Sequence, residues 1–218
     1  MTRHRRLMYA LASPFLRANG ALYRRFRAPR DGTLKVHLGP GRVHYLNGWV
    51  NVDANLLSAK IDVWADLRNP LPFHDGTVSA IYSHHVIEHL PDLPAHFREL
   101  HRVLKPGGIF RVAGPNGDSA ARKFVEGDIA WFSSDFPEKR ASLGGRFANF
   151  VFCGHEHLTI LTASFLGELA RDAGFGALTV RQPVTDTGFP EVIDAAVLAH
   201  EWEDTPACPH TLVVEGRK

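Results

Sequence analysis

The sequence has few cysteines and no long hydrophobic run, and these absences narrow the class of protein. Its 218 residues include two cysteines, Cys153 and Cys208, too few for a disulfide framework and typical of a reducing cytosol. No apolar run approaches the roughly 20 residues that a membrane-spanning helix needs. With 44% apolar and 22% charged residues, the composition indicates one globular domain with a short extension.

Acidic residues are missing from the first 30 positions, which contain eight arginines and no lysine. This basic N-terminal segment, residues 1–30, carries +8, and because the whole chain carries +2, residues 31–218 carry −6. The acidic body has no basic stripe, so no nucleic-acid partner is predicted. Between the arginines of the segment stand the apolar residues Leu7, Met8, Tyr9, Leu11, Phe15, Leu16, Leu22, Tyr23 and Phe26.

Three interpretations of the basic N-terminal segment remain open: an interfacial helix on anionic lipid, a helix packed on the domain, and a signal peptide. A signal peptide is the least favoured, because Pro14 and Arg17 interrupt the short apolar stretch that follows Arg5 and Arg6. Pro14 and Gly20 predict two short helices that wrap around the domain.

Residues 31–218 alternate between strand and helix patterns. Helices are predicted after Asp92 and Thr162, residues that suit the N-cap position, and residues 105–108 are expected to end the first of them. Strands separated by helices imply a parallel sheet with right-handed crossovers, hence an open α/β sandwich. The predicted strands are 34–38, 49–53, 61–65, 78–83 and 109–113, with two more near 177–181 and 211–215.

Residues 118–152 do not follow the alternation and contain seven aromatic residues. A solvated linker does not carry so many rings, so the segment must bury them. We expect a lid over the carboxyl ends of the strands, where open α/β folds bind ligands. An insertion packed on the outside of the domain is the alternative.

Two glycines and two acids at successive strand ends indicate a nucleoside site. Gly39 and Gly41 follow the first strand, where the missing Cβ allows a tight turn and close approach of a ligand. Asp53 ends the second strand, and a carboxylate there can accept hydrogen bonds from both hydroxyls of a ribose. Asp66 ends the third strand and can accept a hydrogen bond from an exocyclic amine such as that of adenine.

The predicted nucleoside carries no phosphates. The third glycine of a dinucleotide-binding Gly-x-Gly-x-x-Gly motif would fall at His44, and no phosphate-binding Gly-x-x-x-x-Gly-Lys-Ser/Thr loop occurs. A nicotinamide-dependent oxidoreductase is therefore the less favoured enzyme. A non-catalytic nucleoside-binding module is a third alternative.

These motifs resemble those of the class I S-adenosylmethionine-dependent methyltransferases, in particular the bacterial type-11-like branch. The segments 36–41, 48–53, 65–67, 83–90 and 104–108 carry the resemblance, which runs over about residues 34–116 with a weaker echo to the C-terminus. It implies a Rossmann-like sandwich with a mostly parallel seven-stranded sheet and helices on both faces. The seventh strand would be antiparallel, between the fifth and the sixth.

The resemblance also implies the cofactor S-adenosylmethionine and assigns its binding residues by position. The glycine turn would hold the methionine moiety, the acid after the second strand the ribose and the acid after the third strand the adenine amine. The end of the fourth strand would line the methyl-transfer site. The cofactor-binding residues predicted in this way are Gly39, Pro40, Gly41, Asp53, Asp66, Leu67, Ser83 and His84.

One departure from the family concerns the wall of the cofactor pocket. Most of the class has a full helix between the glycine turn and the ribose acid, but here only residues 42–47 precede Gly48. We expect the apolar side chains of the basic N-terminal segment to complete this wall while its arginines face outward.

The histidines raise a metal site and a catalytic site as rival hypotheses. His85, Glu88 and His89 match the His-x-x-Glu-His pattern of zinc peptidases, in which two histidines one helical turn apart bind zinc. Pro91 leaves too little helix for that arrangement, so no metal is predicted. The resemblance places Glu88 and His89 at the pocket, where catalysis and a purely structural role remain open.

His157 is the third predicted catalytic residue, besides Glu88 and His89. The resemblance places it near the acceptor, just before the helix that Thr162 caps. A histidine can deprotonate a hydroxyl there because its ordinary pKa lies near neutrality. A hydrogen bond to the loop after the fifth strand is the alternative.

The whole pattern predicts a single-domain bacterial methyltransferase of the cytoplasm, with residues 31–218 as the catalytic domain. O-methylation of a glycan, a glycolipid or a small metabolite is the expected reaction. The basic N-terminal segment adds the expectation of peripheral contact with the inner face of a membrane.

Overall fold

The structure is a computed structural model that describes residues 3–55, 60–203 and 205–218, with side chains from Leu11 onward. Its strands are β1 (Leu34–Leu38), β2 (Val50–Asp53), β3 (Val63–Trp64), β4 (Val78–His84), β5 (Leu104–Pro115), β6 (Thr179–Arg181) and β7 (Thr211–Arg217). Its α-helices are α1 (Arg3–Phe26), α2 (Leu93–Val103), α3 (Gly117–Val125), α4 (Leu143–Phe152), α5 (Ala163–Asp172) and α6 (Ala195–Leu198).

The strands form one sheet in the order β3-β2-β1-β4-β5-β7-β6. All neighbouring pairs from β3 to β5 are parallel, whereas β7 runs antiparallel to both β5 and β6. The predicted α/β sandwich with an antiparallel seventh strand is confirmed. The carboxyl ends of β1, β2, β3 and β4 therefore meet at one edge of the sheet.

Side-chain caps place the two helices that the sequence predicted. The Asp92 carboxylate accepts a hydrogen bond from the Ala95 N–H at 2.8 Å, and the Thr162 hydroxyl accepts one from the Phe165 N–H at 3.3 Å. Residues 105–108, which were predicted to end the first of these helices, lie beyond its end at Val103 and belong to β5. They form a bulge, because the pairing with β4 shifts from Val78–Leu104 to Ala80–Ile109.

The two faces of the sheet are covered differently. One face packs an aliphatic core against α2 and α5, with Phe97, Leu100 and Leu166 fully buried. The other face is covered by residues 46–49 and by residues 189–198, in which the short α6 is the one helix. On that second face Arg111 is fully buried and pairs with Glu201 at 2.6 Å and with Glu215 at 2.7 Å. This network satisfies the buried charges, which would otherwise cost several kcal/mol.

The basic N-terminal segment forms one continuous helix, α1, so the predicted pair of short helices is wrong. Gly20 lies on the side of α1 that faces the domain, where a Cβ would make ordinary contacts with the side chains of Pro72 and Ala65, at 3.5 and 3.8 Å. Leu16 is buried, and Asn19 donates to the Trp64 carbonyl at 2.8 Å. Contact with β3 therefore holds α1 in place despite Pro14.

The described arginines of α1 face outward as predicted, but several apolar residues that were expected to face the domain are exposed as well. The exposed apolar stripe of α1 consists of Leu11, Phe15, Leu22 and Phe26, which are 53–74% exposed. These positions recur at helical spacing along one side of α1, next to the side that carries the buried Leu16. Residues 1 and 2 and the side chains of Arg3, Arg5, Arg6, Leu7, Met8 and Tyr9 lie outside the described part of the chain.

Residues 118–152 form a separate small core rather than the predicted lid. Trp131, Phe132 and Ala120 are buried with Cys208, and Phe147 and Phe150 pack against them. The Trp131 ring stacks on His210 at 4.0 Å, so the aromatic rings bury one another against the segment that precedes β7. The alternative, an insertion packed on the outside of the domain, describes this segment better. Within the described residues, no helix is long and apolar enough to cross a membrane.

Candidate active site

A cavity of about 560 Å³ lies at the edge where β1, β2, β3 and β4 end. This volume falls within the about 300–1,000 Å³ of sites that hold a small-molecule ligand. The residues that line it include Gly39, Asp53, Asp66, Leu67, Arg68, His85, Val86, His89, His155 and Leu158. Four of the predicted cofactor-binding residues (Gly39, Asp53, Asp66 and Leu67) thus share one cavity.

The glycine turn after β1 requires its two glycines for different reasons. Gly39 and Gly41 have φ angles of 71° and 56°, in the left-handed region that favours glycine. A Cβ on Gly39 would lie 2.3 Å from Cγ2 of Val86, whereas a Cβ on Gly41 would meet no atom within 4 Å. Gly39 therefore allows the β1 and β4 loops to approach each other, and Gly41 leaves open space. Pro40 and Gly41 adjoin the cavity without lining it.

Asp53, at the end of β2, is held in place by the backbone. Its Oδ2 accepts a hydrogen bond from the Gly41 N–H at 3.0 Å, and its Oδ1 accepts one from the Asn55 N–H at 2.9 Å. These bonds orient the carboxylate toward the cavity and leave further acceptor positions on both oxygens. A carboxylate fixed in this way is suited to bind the two hydroxyls of a ribose.

Asp66, beyond β3, lines the cavity but already has a partner that sequence reasoning missed. The Arg68 guanidinium donates to both carboxylate oxygens, at 2.6 Å from Nη2 to Oδ2 and at 2.9 Å from Nε to Oδ1. Burial alone would raise the pKa of Asp66, but the hydrogen bonds from Arg68 outweigh burial and lower it. An adenine amine at this position would share the carboxylate with Arg68.

The end of β4 contributes different side chains from those predicted. Ser83 and His84 do not line the cavity, and the His84 ring stacks on Tyr82 of the second sheet face instead. Burial lowers the pKa of His84 to about 3, so this ring is neutral at pH 7. The two residues that follow, His85 and Val86, line the cavity. Alternation along the strand explains the error, because side chains at the end of β4 point to opposite faces.

Glu88, His89 and His157, the three predicted catalytic residues, come together beside the cavity. One ligand-type atom of each lies within 4.8 Å of the other two. Glu88 is fully buried, and its Oε1 is 3.9 Å from Nε2 of His89. Burial lowers the pKa of His157 below its ordinary value, which favours the neutral imidazole. The fold brings His157 next to Glu88 and His89, which are adjacent in the sequence. We call these three residues the Glu–His–His cluster.

Two hydrogen bonds join the segments that supply the Glu–His–His cluster. The Leu158 N–H donates to the Glu88 carbonyl at 2.8 Å, and Nδ1 of His89 lies 2.9 Å from the Glu156 carbonyl. Both segments also contain non-glycine residues with positive φ, His85 at 53° and His155 at 68°. Such conformations cost about 1–3 kcal/mol and concentrate at functional sites.

The basic N-terminal segment does not complete the cavity in the described part of the chain. None of the described lining residues belongs to α1. Instead α1 supports β3 from behind, where Arg17 contributes to the lowered pKa of Asp66. The loop after β4 and residues 155–158 line the cavity instead.

Comparison with known proteins agrees with this geometry. Residues 40–112 match the family model described as a methyltransferase domain. A probable S-adenosylmethionine-dependent methyltransferase of Mycolicibacterium smegmatis is 46% identical over 57 residues, which are 26% of this chain and 22% of that protein. A mitochondrial arginine hydroxylase of Danio rerio is 28% identical over 125 residues, 57% of this chain and 34% of that protein. The chain thus matches about a fifth to a third of the length of these relatives.

The fold comparison extends over the whole chain. An S-adenosylmethionine-dependent methyltransferase from Thermotoga maritima superposes with a TM-score of 0.54, at 16% identity, over 99% of this chain and 95% of that chain. This likeness concerns the fold. Together with the family match, it confirms the predicted resemblance to class I S-adenosylmethionine-dependent methyltransferases and the predicted cofactor.

Proposed function

We propose that this chain transfers a methyl group from S-adenosylmethionine to a hydroxyl oxygen of a lipid-linked glycan. The observation that carries the proposal is the Glu–His–His cluster beside a cavity that also presents Asp53. Gly41 leaves open space for the methionine moiety, Asp53 can bind the ribose, and Asp66 with Leu67 can contact the adenine. S-adenosylmethionine, when bound, supplies a methyl group already activated by its sulfonium.

The chain itself must align the acceptor, exclude water and accept a proton. Nδ1 of His157 lies 3.2 Å from the Val151 carbonyl, a contact that places the ring proton on Nδ1 and leaves Nε2 free to accept. In the transfer, the acceptor O–H bond and the S–CH₃ bond break and an O–CH₃ bond forms. The proton passes to Nε2 of His157, and S-adenosylhomocysteine leaves.

A labelled-methyl assay tests the reaction and the acceptor class together. The full chain is incubated with methyl-labelled S-adenosylmethionine and with either a lipid extract or a water-soluble extract of bacterial cells. We expect label in the lipid extract as an alkali-stable methyl ether. His157→Asn should slow labelling about 100-fold or more if the base is lost, whereas His101→Asn on α2 should not. Label confined to the water-soluble extract, or to neither, contradicts the proposal.

The cofactor assignment has its own test against the two alternatives. Calorimetric titration should show saturable binding of S-adenosylhomocysteine and none of NAD. Binding of NAD without S-adenosylhomocysteine would support an oxidoreductase. Binding of S-adenosylhomocysteine with no labelled product in any extract would favour a non-catalytic nucleoside-binding module.

We also propose that α1 binds the surface of an anionic membrane, which would bring a lipid-linked acceptor to the cavity. Support comes from the exposed apolar stripe of α1 and from the exposed arginines beside it, Arg17, Arg24, Arg25 and Arg27. Each basic residue near an anionic surface adds about 1 kcal/mol at low salt. Leu22→Ser with Phe26→Ser should abolish sedimentation with anionic vesicles, whereas Val125→Ser, at a still more exposed apolar site on α3, should not. Equal sedimentation of both variants contradicts this surface.

A further inference from the structure

We infer that the Glu–His–His cluster binds one divalent first-row transition metal ion, with Zn²⁺ as the best-matched ion. Two imidazoles and one carboxylate are the donor set of many catalytic zinc sites, which keep a fourth position open. The sequence predicted no metal because it considered His85 and His89 on a single helix. The structure assigns the second histidine to His157 instead, 69 positions after Glu88.

Glu88 supplies the charge for this site. The Glu88 side chain is fully buried, and its Oε2 has no hydrogen-bond partner in the described part of the chain. A buried carboxylate oxygen without a partner costs several kcal/mol, and a bound cation removes that cost. Oε1 of the same carboxylate lies 3.9 Å from Nε2 of His89, so a cation bound between them would offset the cost of burying this acid.

Every side chain of the cluster is already oriented by a second residue. Nδ1 of His89 faces the Glu156 carbonyl at 2.9 Å, and Nδ1 of His157 faces the Val151 carbonyl at 3.2 Å. Both contacts place the ring proton on Nδ1 and leave Nε2 as the metal-binding nitrogen. Outer hydrogen bonds of this kind fix histidine ligands in known metal sites.

His85 completes this outer arrangement. Its Nδ1 lies 3.2 Å from Oε1 of Glu88, and its Nε2 lies 3.4 Å from the Thr211 hydroxyl. His85 is thus placed to hold the carboxylate rather than the ion. With zinc bonds of about 2.0–2.2 Å, the three ligand atoms must move together by roughly 1–1.5 Å, a shift within the reach of side-chain rotation.

The open coordination position would face the cavity that His89 lines. An acceptor hydroxyl bound there would lose its proton more readily, because a metal ion lowers the pKa of a bound oxygen acid. With the ion bound, Nε2 of His157 is a ligand and not the base, so the proton passes to water instead. This role rests on the proposed methyl transfer to oxygen. Binding of the ion itself does not.

Titration of the full-length protein, freed of metal by chelator and carrying no histidine tag, tests the inference. We expect about one equivalent of Zn²⁺ to bind with a Kd of about 1 µM or tighter, and Co²⁺ to develop visible absorption typical of four or five ligands. His89→Asn and His157→Asn should each weaken binding about 100-fold, and His85→Asn about 10-fold. His155→Asn, a cavity histidine outside the cluster, should bind zinc like the parent.

Absence of stoichiometric zinc binding by the parent protein would overturn the inference. Equal zinc affinity in the His157→Asn and His155→Asn variants would overturn it too. Glu88→Gln adds a third readout where it folds, and the two partly exposed ligand histidines decide the outcome where it does not. S-adenosylhomocysteine is titrated into the same metal-free protein, so a failed metal site and a failed methyltransferase assignment give different results.

Discussion

The two walls of the cavity are built in different ways. The cofactor wall, formed by Gly39, Asp53 and Asp66, comes from three successive strand ends, and its key contacts join residues 2 to 12 positions apart. The Glu–His–His cluster joins segments 69 positions apart and depends on two hydrogen bonds between loops. We expect the first wall to hold the cofactor and the second to face the methyl acceptor.

Gly39→Ala should produce the largest effect, on the cofactor wall. The strained φ and the 2.3 Å approach to Val86 together predict a loss of about 3 kcal/mol in unfolding free energy. Gly41→Ala is the matched control, since it has positive φ but no nearby atom, and should lose about 1 kcal/mol. Chemical denaturation measures both. Addition of Val86→Ala to Gly39→Ala should restore part of the loss, and equal losses in the two glycine variants would refute the close approach.

Asp53→Ala should have the next largest effect, on cofactor binding. Loss of a charged acceptor for two hydroxyls predicts an increase of about 30-fold in the Kd for S-adenosylhomocysteine, or about 2 kcal/mol. Calorimetric titration measures it, with Asp31→Ala, an exposed acid in a turn, as the control. An unchanged Kd would mean that the ribose lies elsewhere. Zinc binding at the other wall should stay the same.

His84→Phe tests a residue that lies next to the cavity without lining it, and it should change the pH dependence of stability and not cofactor binding. Because the pKa of His84 falls from about 6.5 to about 3 on folding, the unfolded chain binds more protons between these values. The free energy of unfolding is therefore unaffected by His84 above pH 6.5 and decreases as the pH falls from 6.5 toward 3. At pH 5 the loss reaches about 2 kcal/mol.

The His84→Phe variant should therefore lose about 2 kcal/mol less than the parent between pH 8 and pH 5, as measured by urea denaturation at each pH. Its affinity for S-adenosylhomocysteine should match that of the parent, because His84 does not line the cavity. A weakened affinity would indicate that His84 does contribute to cofactor binding.

Asp66→Ala should have the smallest effect, because Arg68 already occupies much of the carboxylate. We expect the Kd for S-adenosylhomocysteine to rise about fivefold, or about 1 kcal/mol. S-inosylhomocysteine, which lacks the exocyclic amine, should bind parent and variant equally. A similar change for both ligands would show that Asp66 acts through Arg68 and not on the amine.

Sequence patterns located Gly39, Asp53 and Asp66 at one cavity because each position is set by a local strand end, and their binding of the cofactor stays a prediction. A glycine turn and an acid at the next strand end remain recognisable whatever the rest of the chain does. The Asp66–Arg68 pair was equally local but was missed, since the motif draws attention to the acid alone. The positions of Ser83 and His84 were wrong because a pattern locates a strand end to within a residue or two, and one residue reverses the direction of a side chain.

The Glu–His–His cluster and α1 needed the structure. The sequence matched His85, Glu88 and His89 to a helical metal motif that Pro91 excludes, but it did not show that His157 arrives from the loop before α5. In α1 the apolar residues were visible, but which of them face the domain depends on its contact with β3. Sequence periodicity identifies the apolar side of a helix but does not show which of its residues pack against the rest of the protein.

The hydrogen bond from the Leu158 N–H to the Glu88 carbonyl has a consequence for motion. That amide hydrogen can exchange with solvent deuterium only when the two loops separate, because its acceptor belongs to the other loop. Its exchange rate thus reports how often the far wall of the cavity opens. A ligand that bridges both loops should slow this exchange, and one confined to the β1–β3 side should leave it unchanged.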